Sequence, residues 1–243
     1  MYSYLGLQNI SKLTKYSSFI KSISLIRLPG FSGPCIQIRY RTSQYSDQLF
    51  IDFGLRCPAH IASSTEKRKS SFFAGRLAAK VGMGALGVSE EDVGVGPRGE
   101  PLWPKTVSAS LSHTDDTAMC ILSCGQYRLG IDVERPMNVT DSYEVKKMIM
   151  TKFEQQYFSK FSFGKNCLTT ILFSAKECLY KALYPEVQSY FDFLDVETIR
   201  VDLLCSEITF RLCKNLCAIL PMNTNVVIKW STFEDIVTYT PNS

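Results

Sequence analysis

Apolar and polar residues follow two rhythms along this chain. Residues 34–53, PCIQIRYRTSQYSDQLFIDF, alternate β-branched or aromatic residues with polar ones and predict strand. The period then lengthens. Phe73, Leu77 and Val81 recur at four-residue steps behind Ser63 and Glu66, which have capping-box spacing. A helix is expected from about Thr65 to about Leu86, its end weakened by Gly82 and Gly84. Residues 94–106, GVGPRGEPLWPKT, read as a Gly/Pro-rich loop. Beyond it the pattern predicts two strands joined by a turn near Gly125. The first holds Ala118 to Leu122, and the second Leu129, Ile131 and Val133.

Residues 141–160 read as a polar helix. The strongest helical period lies in CLTTILFSAKECLYKALYP, where Leu168, Ile171, Leu172, Ala175, Leu179, Ala182 and Leu183 mark one face and Pro185 is expected to stop it. SEITFRL, LCAIL, NVVIKW and IVTYT then read as strands. The order of elements, strands and a helix followed by strands again, predicts an α+β fold of two similar halves joined near residue 130, with domains 1–130 and 131–243.

Composition narrows the class. A chain of 243 residues, 45% hydrophobic, can bury one large core or two small ones. A net charge of +4 is too weak to argue for nucleic acid but suits an anionic partner. Nine cysteines without a CxxC pair, and two histidines, His60 and His113, fit neither a disulfide framework nor a structural zinc site. Reduced thiols in a cytoplasmic protein are expected. Lys12, Lys15 and Lys21 interrupt the N-terminal apolar residues, so no signal peptide is expected, and no apolar run is long enough for a transmembrane helix.

Against that background one strand is unusual. In GIDVE, Ile131 and Val133 are expected to face the core while Asp132 and Glu134 share the other face, roughly 7 Å apart. Two carboxylates at that distance need water, a basic group or a hard cation such as Mg²⁺ beside them. In FSAKECLYKALYP, Glu177 and Lys181 stand at i, i+4 next to the apolar stripe, and Lys176 and Tyr180 are expected to point toward solvent. Taken alone, Glu177 and Lys181 read first as an ordinary helical ion pair, contributing about 0.3–0.5 kcal/mol. SLSHTDD places His113 after a strand-like run. EKRKSSFFAGR gathers Lys67, Arg68, Lys69 and Arg76, either a solvated face or a phosphate site.

Taken together, GEPLWP, SLSH, GIDVE and FSAKECLYKALYP resemble the 4'-phosphopantetheinyl transferase superfamily, most of all the enterobactin synthase component D type. The resemblance covers about residues 65–185. It implies two similar α+β halves, a pseudo-dimer within one chain, with the active site in the cleft between them. It also implies transfer of the phosphopantetheine arm of coenzyme A to a serine of an apo acyl, aryl or peptidyl carrier protein, releasing adenosine 3',5'-bisphosphate. By this resemblance the N-terminal half takes the CoA nucleotide, and the C-terminal half carries metal and catalytic residues.

The resemblance also assigns roles. Asp132, Glu134 and Glu177 would hold Mg²⁺, or Mn²⁺, against the CoA diphosphate. Glu177, directly or through a metal-bound water, would be the general base. Lys181 would neutralise the diphosphate and assist the leaving group. Ser112 and His113 would lie near the CoA phosphates, with His113 on the 3'-phosphate and Arg68 and Arg76 as further candidates. Arg98, Glu100 and Pro101 would lie near the adenine and phosphates. Many relatives carry Lys where this chain has Glu100, and Arg98 is the expected substitute. Catechol siderophore assembly by nonribosomal synthetases is the expected pathway, with fatty-acid or polyketide carriers as the alternative. A non-catalytic CoA-binding module and a Mg²⁺-dependent phosphohydrolase are the competing readings. Residues 137–158 are a candidate carrier-docking segment, and the resemblance favours a monomer.

Overall fold

The computed structural model describes residues 14–88, 93–160 and 165–241. The expectation placed on the first 13 residues lies outside them. Two compact units divide the chain, residues 1–127 and 128–243. Each described unit is built around a long helix laid on an antiparallel sheet.

In the first unit, strands β1 (Ile20–Ile26), β2 (Cys35–Tyr40), β5 (Val107–His113) and β6 (Thr117–Cys124) form a sheet in the order β1-β2-β6-β5. Two short helices, α1 (Gln48–Asp52) and α2 (Ala59–Ala62), lead into the long helix α3 (Glu66–Ala85). A small ribbon of β3 (Gly94–Val95) and β4 (Pro101–Leu102) follows. Phe73, Ala74, Leu77 and Ala78 of α3 are buried with Ile36, Ile38, Cys120 and Leu122 of the sheet. The Phe73 ring meets Phe19, Phe50 and Phe53 edge-on, with centroids 5.3–5.7 Å apart.

Two expectations for this unit change. Strand structure in residues 34–53 ends at Tyr40, and Leu49 and Phe50 are buried instead from the short helix α1. Helix α3 is capped by Thr65, whose hydroxyl accepts from the Arg68 backbone N–H, while Ser63 terminates α2.

The second unit holds β7 (Ile131–Glu134), helices α4 (Val139–Ile149), α5 (Lys152–Ser159) and α6 (Lys165–Val187), and strands β8 (Val196–Asp202), β9 (Glu207–Leu212), β10 (Asn225–Thr232) and β11 (Ile236–Tyr239). Its sheet runs β7-β11-β10-β9-β8. Leu168, Ile171, Leu172, Ala175, Leu179 and Leu183 of α6 are buried with Ile208, Phe210, Ile228 and Trp230 of the sheet.

Here too the pattern misled in places. Strand β7 does not turn back on β6. Both sides of β6 are already paired, with β2 and β5, so β7 pairs instead with β11, 105 residues onward by the Ile131–Ile236 separation. The polar helix of residues 141–160 is two helices broken at Met150 and Thr151, where Thr151 and Glu154 form a capping box. Helix α6 runs past Pro185 to Val187, which is buried in the core. A proline in the last turn removes one helical hydrogen bond, a loss that packing offsets here. LCAIL forms a turn closed by a single bridge between Cys217 and Leu220.

All nine cysteines are free thiols. No helix among the described residues is long and apolar enough to cross a membrane.

Candidate active site

Strand β7 and helix α6 bring the charged residues of the second unit together. A glycine governs how closely they approach. A Cβ on Gly130 would lie 2.0 Å from the Cys178 carbonyl oxygen, so only glycine lets the start of β7 lie against the α6 backbone. Gly130 is also pinned on its other side, its N–H donating to Thr240 Oγ1 at 3.1 Å and its carbonyl accepting from Thr240 N at 3.0 Å.

This close approach puts Asp132 under α6. Asp132 is only 3% exposed, and its Oδ1 accepts from Lys181 Nζ at 2.6 Å. Lys181 Nζ donates also to the Ile131 carbonyl at 3.2 Å. Across the ladder Asp132 pairs with Thr238, whose hydroxyl meets Ser174 of α6 at 2.8 Å. The face that carries Asp132 is therefore turned toward the helix, and Ile131 and Val133 are also fully buried. The i, i+4 relation of Glu177 and Lys181 is present on α6, but the side chain that Lys181 grips is Asp132.

Glu134 ends β7, half-buried. Burial, and then the charges of Asp132, Glu177 and Asp235 against the relief offered by Lys181, push its carboxyl from the ordinary 4.5 up to about 7. Glu177 is also raised, first by burial, with Lys181 working against the shift and Asp132 adding to it. Asp235, buried just before β11, is a further acidic neighbour of Glu134 that sequence reading missed. Its only early sign was an acid immediately before the strand-like IVTYT.

Three coupled carboxylates with a lysine make a hard-oxygen donor set that suits Mg²⁺ or Mn²⁺. Burial is the first cause of both raised carboxyls and neighbouring acids add to it, and a cation bound beside them would favour their charged forms. The fit is one of donor chemistry: among the described residues no three acidic, histidine or cysteine side chains converge as a preformed ligand cluster.

Beside Glu177 opens a pocket of about 200 Å³. Tyr180, Tyr190, Phe191 and Phe193 form its apolar walls, and Lys176, Glu177 and Asp192 supply polar groups. Tyr190, Phe191 and Phe193 were not singled out by sequence, since they lie between α6 and β8 on no periodic face, whereas Tyr180, expected toward solvent, is half-buried in the pocket wall. Lys176 itself corrects an expectation. It does not point to solvent but is 2% exposed, and its ammonium donates to Glu154 and to three backbone carbonyls.

The first unit gathers a second group. Arg68, at the capped N-terminus of α3, reaches His113 at the end of β5, with Nη1 3.3 Å from Nε2. Lys67 pairs with Asp115 at 2.7 Å on the turn after His113. Ser112 is buried one residue earlier. An arginine, a histidine and a helix N-terminus together favour an anion. Arg76 stands apart from that group. It is 6% exposed, lies over the Phe72 ring, and donates through Nη2 to the Gly94 carbonyl at 3.0 Å, so it braces the β3–β4 ribbon. In that ribbon Glu100 turns its carboxylate inward to accept from the Arg98 backbone N–H at 2.9 Å, and Pro101 begins β4. Gly99 supplies the positive φ of 86° that the turn requires, and the Arg98 residue is exposed.

Both units match one family. The family model for the 4'-phosphopantetheinyl transferase N-terminal domain matches residues 58–123, and that for the 4'-phosphopantetheinyl transferase superfamily matches residues 128–218. The chain belongs to the 4'-phosphopantetheinyl transferase superfamily, as its motifs implied. Among curated proteins it is similar to enterobactin synthase component D of Salmonella typhi, 34% identical over 52% of this chain and 53% of that protein. The same component of Escherichia coli (strain K12) is 31% identical over 58% of this chain and 66% of that protein. The 4'-phosphopantetheinyl transferase Npt of Nocardia iowensis is 32% identical over 55% and 60%. The matched stretches thus span about half to two thirds of those relatives' lengths.

Proposed function

We propose that this protein transfers the phosphopantetheine arm of coenzyme A to a serine of an apo carrier protein. The observation that carries this reading is the ion pair between buried Asp132 and half-buried Lys181, set among raised carboxyls, Glu134 and Glu177, on two adjoining elements. Such a set suits a diphosphate and a proton-accepting base in the same place.

In this reading Glu177 takes the proton from the carrier serine hydroxyl. Its raised carboxyl makes it a better base at neutral pH than an ordinary glutamate. The serine oxygen bonds to the pantetheine-bearing phosphorus as the bond from that phosphorus to the bridging oxygen breaks. The electron pair stays on the bridging oxygen of adenosine 3',5'-bisphosphate, where the Lys181 ammonium offsets the new charge. Asp132, Glu134 and Glu177 are the residues that would hold Mg²⁺ or Mn²⁺. When bound, the cation polarises the diphosphate and stabilises the leaving oxygen. Asp132 orients Lys181 through their 2.6 Å contact.

The remaining assignments follow the same chemistry. Arg68 and His113, with Ser112, take the 3'-phosphate, while Arg98 covers the nucleotide in place of a lysine at position 100. Arg76 acts by holding the ribbon that carries Arg98, through Gly94. The aromatic pocket beside Glu177 receives the arm. One CoA served by both units is the arrangement the motifs imply, divided as 1–130 and 131–243. The carrier docks on α4, where Val139, Tyr143 and Met148 are exposed beside Lys146 and Lys147, a surface suited to an acidic partner with apolar contacts. Enterobactin-type relatives favour an aryl or peptidyl carrier of siderophore assembly.

The test is mass spectrometry of apo aryl, peptidyl and fatty-acid carriers incubated with CoA, Mg²⁺ and the protein. A gain of the phosphopantetheine mass on a carrier is expected. No gain on any carrier, or adenosine bisphosphate released without one, would reject the transferase.

A further inference from the structure

Lys176 has no part in the chemistry above, yet its buried ammonium meets four protein acceptors at once. Its Nζ lies 2.6 Å from the Ile149 carbonyl, 2.9 Å from Glu154 Oε2, 3.0 Å from the Phe193 carbonyl and 3.1 Å from the Val196 carbonyl. Glu154 is wholly buried, and each of its oxygens is used. Oε2 accepts also from Thr151 N at 2.9 Å, and Oε1 accepts from Thr198 N at 2.9 Å and Thr198 Oγ1 at 2.7 Å. The cluster joins the end of α4, the start of α5, the middle of α6 and the start of β8.

Its position matters more than its strength. Phe193 and Val196, two of the carbonyl acceptors, line the pocket beside Glu177, and Lys176 lines it too. The chain between α6 and β8 has little regular backbone pairing, leaving Gln188 in left-handed geometry at φ 52° and a single 3-10 turn at Phe193–Asp195. Apolar side chains could fill such a core as stably, so a buried ion pair retained there points to a demand for fixed geometry.

We propose that the Lys176–Glu154 pair is a positioning device that locks the pocket wall from Tyr190 to Val196 against the turn of α6 bearing Glu177. This rests on Glu177 acting as the base of the transfer. Lys176 acts on the reaction through the wall and the neighbouring glutamate, because the four contacts of its ammonium are with Glu154 and three backbone carbonyls.

The test pairs Lys176→Met with Glu154→Gln, which removes both charges, keeps similar volumes and leaves an amide oxygen for Thr198. Circular dichroism and a thermal melt establish folding. In the folded variant kcat is expected to fall about tenfold to a hundredfold, as a small misplacement of reacting groups does. KM for CoA should rise by less than kcat falls, because the nucleotide contacts proposed for Arg68, His113 and Arg98 are left intact. Amides of residues 190–198 should exchange hydrogen faster than in the unmodified protein. Should the pair fail to fold, Thr198→Val is read in the same way, with a smaller loss of kcat expected. Unchanged kcat, unchanged exchange, or a loss confined to KM overturns the positioning role while the unmodified protein remains active. If the unmodified protein loads no carrier, the transferase reading falls first and this role falls with it.

Discussion

In the proposed transfer Glu177 and Asp132 share the cation, but only Glu177 is the base and only Asp132 holds Lys181, so their variants should fail differently. Glu177→Gln keeps size and removes the base, so kcat should drop roughly 10²- to 10⁴-fold with CoA binding by calorimetry retained. Asp132→Asn leaves Lys181 without its counter-charge, and CoA affinity should weaken along with turnover. His113→Ala should raise KM for CoA but leave KM for 3'-dephospho-CoA unchanged, since only the former offers the phosphate proposed for Arg68 and His113, which contact each other. Equal effects on the two substrates would reject that assignment. At this scale the sequence was most informative about the acids on β7 and α6, because their spacing along single elements fixes which face each one shares. It placed Lys176 in solvent, wrongly, and did not single out Glu154. A charged residue beside an apolar stripe reads as solvated unless its partner is known, and that partner lies 22 residues away on another helix.

Among the elements, β7 and α6 form a unit whose separation is set by Gly130. Gly130→Ala would drive a methyl group into the Cys178 carbonyl and push strand from helix. A loss of about 1–3 kcal/mol in urea unfolding is expected, as in other overpacked sites, together with reduced activity. Wild-type stability in that variant would show that the strand yields without cost. Element type was legible where the period was long, as in α3 and α6. Pairing was not. β7 is four residues long, and which sheet accepts it depends on β11 and on β6 having no open edge. Local pattern holds neither fact.

For the molecule as a whole, pH exposes the strain in the acidic cluster. Glu134 titrates near 7 when folded and near 4.5 when unfolded, so between those values the folded protein holds more protons. Its contribution to stability is therefore full below the unfolded value and lost as pH rises through about 7. Glu177 is shifted in the same direction. Without divalent cation, the melting temperature should fall from about pH 5 to about pH 7.5, and Glu134→Gln should flatten that fall. Mg²⁺ at the upper pH should restore stability, by about 2.7 kcal/mol at one hundred times its Kd. A melt insensitive to Mg²⁺ would argue against the three carboxylates as its ligands. The α+β class and the long helices were readable from the order of elements, whereas the sheet orders emerged only with the long-range pairs.

The gap at Gly130 has a consequence for anyone who would transplant this chemistry. Copying Asp132, Glu134, Glu177 and Lys181 onto another scaffold as four side chains would not reproduce their 2.6 Å ion pair. The graft must import the missing methyl group as well: a strand and a helix whose backbones nearly touch. What looks like the chemically empty letter of the motif sets the ruler by which the others are measured.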